Sequence, residues 1–160
     1  MTIKIGDKIP SITLTELQDG KPTPVKTDDF FAGKKVALFA LPGAFTPTCS
    51  AKHVPGFVNN SDALAAKGID AIACLSVNDA FVMGAWGVDQ KAGDKVHMLA
   101  DGNGEFTRAV DLELDNTKFG MGKRSKRYSM IVDNGVVTSL NVEEPGAFEV
   151  SSAEYLLGQL

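Results

Sequence analysis

LPGAFTPTCS, residues 41–50, directly extends the apolar run that begins at Val36. A short apolar run bounded by turn signals reads as a buried strand, and this one stops at Pro42-Gly43. Thr46 then suits a helix N-cap, and Pro47 the first helical position, where a missing N–H costs nothing. Cys49 accordingly falls at the third position of a new helix, among backbone N–H groups without intrahelical partners. A helix start carries partial positive charge and favours a thiolate over a thiol. The strand–turn–helix junction therefore predicts a reactive thiol at Cys49. The competing reading is a structural cysteine, since free cysteine packs as a small hydrophobe. Packing alone does not require a helix start.

Upstream of this junction, Ser11 to Leu17 alternates as a strand does, an extended piece surrounds Val25, and Asp28 to Phe31 reads as a helical turn. Lys34 to Leu41 is the first strongly buried strand. Downstream, the helix is expected to run from Pro47 towards Lys67 with a kink or break at Pro55-Gly56. Ile69 to Val77 is continuously apolar, as a strand buried on both faces is. Asn78 or Asp79 caps a helix to about Gln90, its apolar side formed by Phe81, Val82, Ala85 and Trp86. Val96 to Ala100 is a short strand and Glu105 to Val110 a short helix. Tyr128 to Val132 and Val136 to Val142, joined through Asp133-Asn134-Gly135, form the strongest hairpin signal in the chain. Ser151-Ser152 caps a closing helix. Strands alternating with helices, then a hairpin and a helix, predict one α/β domain over residues 1–160, with a mixed sheet covered on both faces. A thioredoxin-like sheet fits this order, although a lone Cys49 is not a Cys-x-x-Cys pair.

Composition narrows the function. The 160 residues carry a net charge of -4, which argues against generic nucleic-acid binding. Lys118 to Arg127 (KFGMGKRSKR) holds five basic residues and reads for the most part as a solvated loop. Two cysteines do not make a secreted disulfide framework. No apolar run reaches membrane-spanning length, and MTIKIGDKIPS lacks the apolar core of a secretory signal. A cytoplasmic chain is expected, unless a targeting segment was removed ahead of the numbering.

Pro42-Gly-Ala-Phe-Thr46-Pro-Thr-Cys49 resembles the peroxiredoxin signature Pro-x-x-x-Thr-x-x-Cys. Together with ACLSVNDAFVM at Ala73 to Met83 and KRYSMIVDNG at Lys126 to Gly135, the chain resembles the type-II (type-five) branch over nearly its whole length. The resemblance implies a thioredoxin-like fold and a thiol peroxidase acting on hydrogen peroxide and organic hydroperoxides, without metal or other cofactor. It places the peroxidatic cysteine at Cys49, the assisting threonine at Thr46, the shielding proline at Pro42 and the essential arginine at Arg127. Phe45 joins Pro42 in excluding water from the pocket. Without the motif, Arg127 reads as half of a surface ion pair. The family also implies a homodimer, and reduction by glutathione with glutaredoxin or by thioredoxin, the donor being a separate molecule.

His53 lies one helical turn beyond Cys49. A Cys-His pair fits a cysteine hydrolase with His53 as general base. It would also fit two metal ligands, but no further cluster completes a zinc set. In the resembling family this histidine orients the arginine. His97 reads as a core or edge histidine. Phe119 and Leu114 read as substrate-mouth, interface or plain core residues. Cys74 lies in the buried strand, where an inert cysteine is the default. Some members of the branch use the matching cysteine to resolve the sulfenic acid as a disulfide, and others leave it unused. A non-catalytic redox sensor or holdase using the same thiol is the alternative to an enzyme.

Overall fold

The computed structural model describes residues 1–160 and contains a seven-stranded sheet in the order β2-β1-β5-β4-β3-β8-β9. Its centre is β3 (Lys35–Ala40), β4 (Ala71–Ser76) and β5 (His97–Ala100), mutually parallel. The hairpin β8 (Tyr128–Asp133) and β9 (Val136–Val142) adds antiparallel to β3. At the other side, β1 (Thr13–Gln18) and β2 (Lys21–Lys26) add antiparallel to β5. This is the mixed, thioredoxin-like sheet that the element order predicts.

Strand alternation divides the core between two faces. Ala37, Phe39 and Leu41, with Ile72 and Cys74, pack beneath α2 (Val54–Asn59), α3 (Ser61–Ala66), α4 (Ala80–Asp89) and α6 (Ala153–Leu157). Val36, Leu38 and Ala40, with Ala73 and Leu75, face α1 (Thr27–Phe30) and α5 (Glu105–Ala109). Cys49 and Cys74 belong to the first of these clusters, so both thiols lie on one side of the sheet. At the β8–β9 turn, Asn134 and Gly135 take φ of 48° and 81°, the paired left-handed conformation that an Asn-Gly hairpin favours.

One expectation is refined and two are corrected. Of the kink or break expected at Pro55-Gly56, the helix after the Cys49 junction shows an irregular turn just ahead of the proline, and the break itself comes later, at Asn60. A π-helical turn, Cys49–His53, takes up the proline's missing donor, and α2 continues to Asn59 before the chain bends at Asn60. On α4 the buried positions are Ala80, Met83, Trp86 and Gly87, whereas Phe81 is 62% exposed. The whole segment is apolar, so sequence periodicity there gives a weak direction. The basic stretch is also more ordered than a solvated loop: β7 (Lys123–Ser125) pairs antiparallel with β6 (Glu113–Asp115) beside the first turn of the Cys49 helix.

Candidate active site

Cys49 sits where β3 hands over to the helix, only 1% exposed. The loop before it is held from three sides. The Ala44 amide donates to Asn78 Oδ1 at 3.0 Å, and Arg124 Nη1 donates to the Pro42 carbonyl at 3.3 Å. The Thr46 hydroxyl donates to the Gly43 carbonyl at 2.7 Å. Gly43 admits Arg124 because it has no side chain; a Cβ there would lie 2.9 Å from Nη1. Phe45 adopts φ 61°, a left-handed conformation that a bulky residue rarely takes outside a tightly constrained site.

Thr46 opens the helix as expected, its carbonyl accepting from the Ser50 amide at 2.9 Å. Its hydroxyl, however, does not cap the amides that follow, being committed to Gly43. The Thr48 and Cys49 amides consequently have no acceptor within the chain. They remain available to charge developing beside the sulfur.

Arg127, just before β8, reaches across the sheet end and donates from Nη2 to Cys49 Sγ at 3.1 Å. The surface ion-pair reading of Arg127 is thereby excluded. Its other terminal nitrogen lies 2.8 Å from His53 Nδ1, and His53 Nε2 lies 2.9 Å from the Ser151 carbonyl. A carbonyl can only accept, so Nε2 carries the ring proton and Nδ1 accepts from Arg127. Burial first, then the neighbouring Arg127 charge, push the His53 pKa down to about 3. His53 is therefore neutral, packed among Phe39, Phe57 and Phe148 with ring centroids 4.9, 5.7 and 5.1 Å away. Both ring nitrogens are occupied. The Cys-His hydrolase reading fails on that geometry, since neither nitrogen can take a proton from Cys49.

A cavity of about 270 Å³ opens beside this cluster, lined by Pro42, Thr48, Leu114, Lys126 and Arg127 and by the segment Val142–Ala147. Phe45 and Phe119, expected as walls of the substrate pocket, do not line it; they stand 54% and 67% exposed. Cys74 is fully buried on β4, and burial together with the nearby Cys49 pushes its thiol well up. Both cysteines are free. His97 is remote from the site and exposed, Nδ1 lying 2.9 Å from Glu16 Oε2.

Sequence reasoning missed Asn78, Arg124, Trp86, Ser50, Ser151 and Glu143. From the sequence Asn78 reads only as a helix cap, a role that Asp79 fills by accepting from the Val82 amide at 2.8 Å. Arg124–Pro42, Trp86–Ser50 and Ser151–His53 join segments 82, 36 and 98 positions apart and leave no local signal, whereas Glu143 bonds six to eight positions on, within a segment that has no regular structure to announce it.

Comparison with known proteins places the chain in a family. The redoxin family model matches residues 4–157. Peroxiredoxin-2E, chloroplastic, of Arabidopsis thaliana is 54% identical over 99% of this chain and 70% of that protein. Peroxiredoxin-2E-2, chloroplastic, of Oryza sativa subsp. japonica is 52% identical over 99% of this chain and 73% of that protein. Among solved structures, reduced Prx3 of Vibrio vulnificus in complex with H₂O₂ superposes with a TM-score of 0.95 at 54% identity, covering 99% of each chain. The expectation of a cytoplasmic chain is corrected by the two plant relatives, both of which are named as chloroplastic. The absence of an apolar core near Met1 bears on secretion alone and carries no information about an organelle.

Proposed function

The chain belongs to the redoxin family as a type-II peroxiredoxin, a thiol-dependent peroxidase of hydroperoxides, and we propose that Cys49 is its peroxidatic nucleophile, with Arg127, Thr46 and Pro42 completing the site. The observation that carries this reading is the 3.1 Å approach of Arg127 Nη2 to Cys49 Sγ. A guanidinium so placed donates to the sulfur and presents further N–H groups to an incoming peroxide.

The Cys49 sulfur attacks one peroxide oxygen in line with the O–O bond. An S–O bond forms, the O–O bond breaks, and the departing oxygen leaves with the electron pair as water or an alcohol once protonated. Cys49 is left as a sulfenic acid. The Thr48 and Cys49 amides and Arg127 stabilise the charge on the oxygens as it grows. The Thr46 hydroxyl, donating to Gly43, keeps its lone pairs free to accept from the peroxide O–H. Pro42 shields the sulfur from bulk water.

A thiol returns the sulfenic acid to the starting state: the first equivalent forms a mixed disulfide and releases water, and the second displaces Cys49 as thiolate. Complete burial of Cys74 and its raised pKa favour an external donor over an intramolecular disulfide. Glutathione with glutaredoxin is the donor we favour, thioredoxin the second. The exposed aromatic ring of Phe45, in the loop that carries Pro42 and Thr46, fits a homodimer formed through the face that carries the site. A redox sensor using the same thiol would be oxidised without turning over.

The deciding experiment is peroxide consumption with a thiol donor supplied in excess. Wild type should turn over many equivalents and Cys49→Ser none. Full turnover by Cys49→Ser, or a single equivalent consumed by wild type, would overturn the assignment.

A further inference from the structure

Glu143, at the end of β9, is a charged residue only 7% exposed that neither touches Cys49 nor forms an ion pair. Its Oε2 accepts four hydrogen bonds from one short segment. The backbone amides of Glu149, Val150 and Ser151 donate at 2.8, 2.8 and 2.9 Å, and the Ser151 hydroxyl at 2.7 Å. Three successive amides converging on one anion form a nest, and here the anion is part of the chain. Residues Glu144 to Ser152 contain no helix or strand, so this carboxylate supplies the order that a ladder would give elsewhere.

The ordered segment delivers two groups to the site. The Ser151 carbonyl fixes the proton on His53 Nε2, and Phe148 packs edge-on against the same ring at 5.1 Å. Phe148 also lies beneath Arg127, whose Cζ is 5.7 Å from the ring centroid. From the other direction, the Glu143 amide donates to the Arg127 carbonyl at 2.9 Å, which ties the carboxylate's own backbone to the arginine's. The path runs from Glu143 through Ser151 and His53 to the Arg127 guanidinium, each link a hydrogen bond of 2.9 Å or less.

We propose that Glu143 is a positioning residue for the Arg127–Cys49 pair, acting through the Glu149–Ser151 amides, the Ser151 carbonyl and the His53 tautomer. This rests on the reading of Arg127 given above. Without the anion the three amides lose their acceptor, the Ser151 carbonyl drifts, and His53 is free to place its proton on Nδ1. A proton there would oppose an Arg127 N–H and turn the guanidinium away from the sulfur.

The experiment compares wild type, Glu143→Gln and Glu143→Ala in two readouts, the second-order rate of Cys49 oxidation by hydrogen peroxide and the ¹⁵N shifts of the His53 ring. Glu143→Ala should slow oxidation roughly tenfold or more, since misplacing a positioned group can cost about a hundredfold. Its His53 signals should leave the pure Nε2–H pattern. Glu143→Gln keeps a weaker, neutral acceptor and should show a smaller loss in both readouts. If Glu143→Ala does not fold, Glu143→Gln is judged by the same two measurements. Wild-type values in the folded variants overturn the proposal, and so does a slowed reaction with unchanged His53 signals. Arg127→Ala separates the two failures. If it slows oxidation while the Glu143 variants are silent, only the Glu143 proposal falls; if it is silent, the reading of the site falls as well.

Discussion

The Trp86 indole N–H donates to the Ser50 hydroxyl at 3.1 Å, joining α4 to the residue next to Cys49. Trp86 is fully buried, and this oxygen is the acceptor its N–H finds. Any unwinding of the first turn that carried Cys49 outwards would withdraw Ser50 and leave that donor stranded. An unsatisfied buried donor costs about 1–3 kcal/mol. Ser50→Ala should therefore destabilise the reduced protein by about that amount in a urea titration. In a Trp86→Phe background the same substitution should cost much less, because the donor has gone too. Equal costs in both backgrounds would show that the hydrogen bond does not hold the turn.

Arg127 contacts Cys49 and His53 through different terminal nitrogens, which a guanidinium can do and an ammonium cannot. Arg127→Lys keeps the charge and removes the fork. Loss of one preorganised donor of this kind slows a reaction by about a hundredfold to a thousandfold. Stopped-flow measurement of the reaction with hydrogen peroxide should show a loss of at least the lower size. A wild-type rate would mean that positive charge alone suffices.

For Cys74 the expected outcome is a single-cysteine cycle. Its thiol is buried within the sheet and pushed well up in pKa by that burial, which makes it a poor nucleophile towards a sulfenic acid. After one equivalent of hydrogen peroxide, intact mass should show a gain of one oxygen in wild type and in Cys74→Ala alike. Addition of glutathione should convert both to the mixed disulfide. Loss of two hydrogens within one chain, in wild type alone, would make Cys74 the resolving cysteine.

The elements legible in the sequence were those whose signals are local. The buried run of β3, the Thr46-Pro47 helix start and the Asn134-Gly135 turn each carry their own backbone preference, and each lies where it was expected. Pro55 signalled an irregularity without saying which kind, and the structure answers with a π turn. The buried face of α4 is not legible in the sequence because Ala80 to Val88 offers no polar side to contrast with it. Arg127 shows the limit of the site reading. It lies 78 positions from Cys49, and no spacing rule reports a pairing made by tertiary folding. Family resemblance located it, and geometry then supplied what resemblance did not: the carboxylate of Glu143 and the peptide of Ser151 behind His53.

His53 gives stability a pH dependence of definite sign. Its folded pKa is lowered to about 3, chiefly by burial, whereas an unfolded histidine titrates near 6.5. Between those values the unfolded chain binds a proton that the folded chain refuses, so stability rises with pH and is lost as pH falls below about 6.5. The slope should approach about 1.4 kcal/mol per pH unit. Glu143, its pKa lowered by the hydrogen bonds it accepts against the opposing effect of burial, acts in the same direction. A depressed carboxylate loses its contribution only below its unfolded value near 4.3, so the interval from pH 6.5 to 5 isolates His53. Urea midpoints across that interval should decline steadily in wild type. In His53→Gln, whose amide can donate to Ser151 and accept from Arg127 without titrating, the decline should flatten. Equal declines in the two proteins would mean that folded His53 takes up a proton in this range. The Nε2–H tautomer, and with it the neutral link between Ser151 and Arg127, would then be wrong.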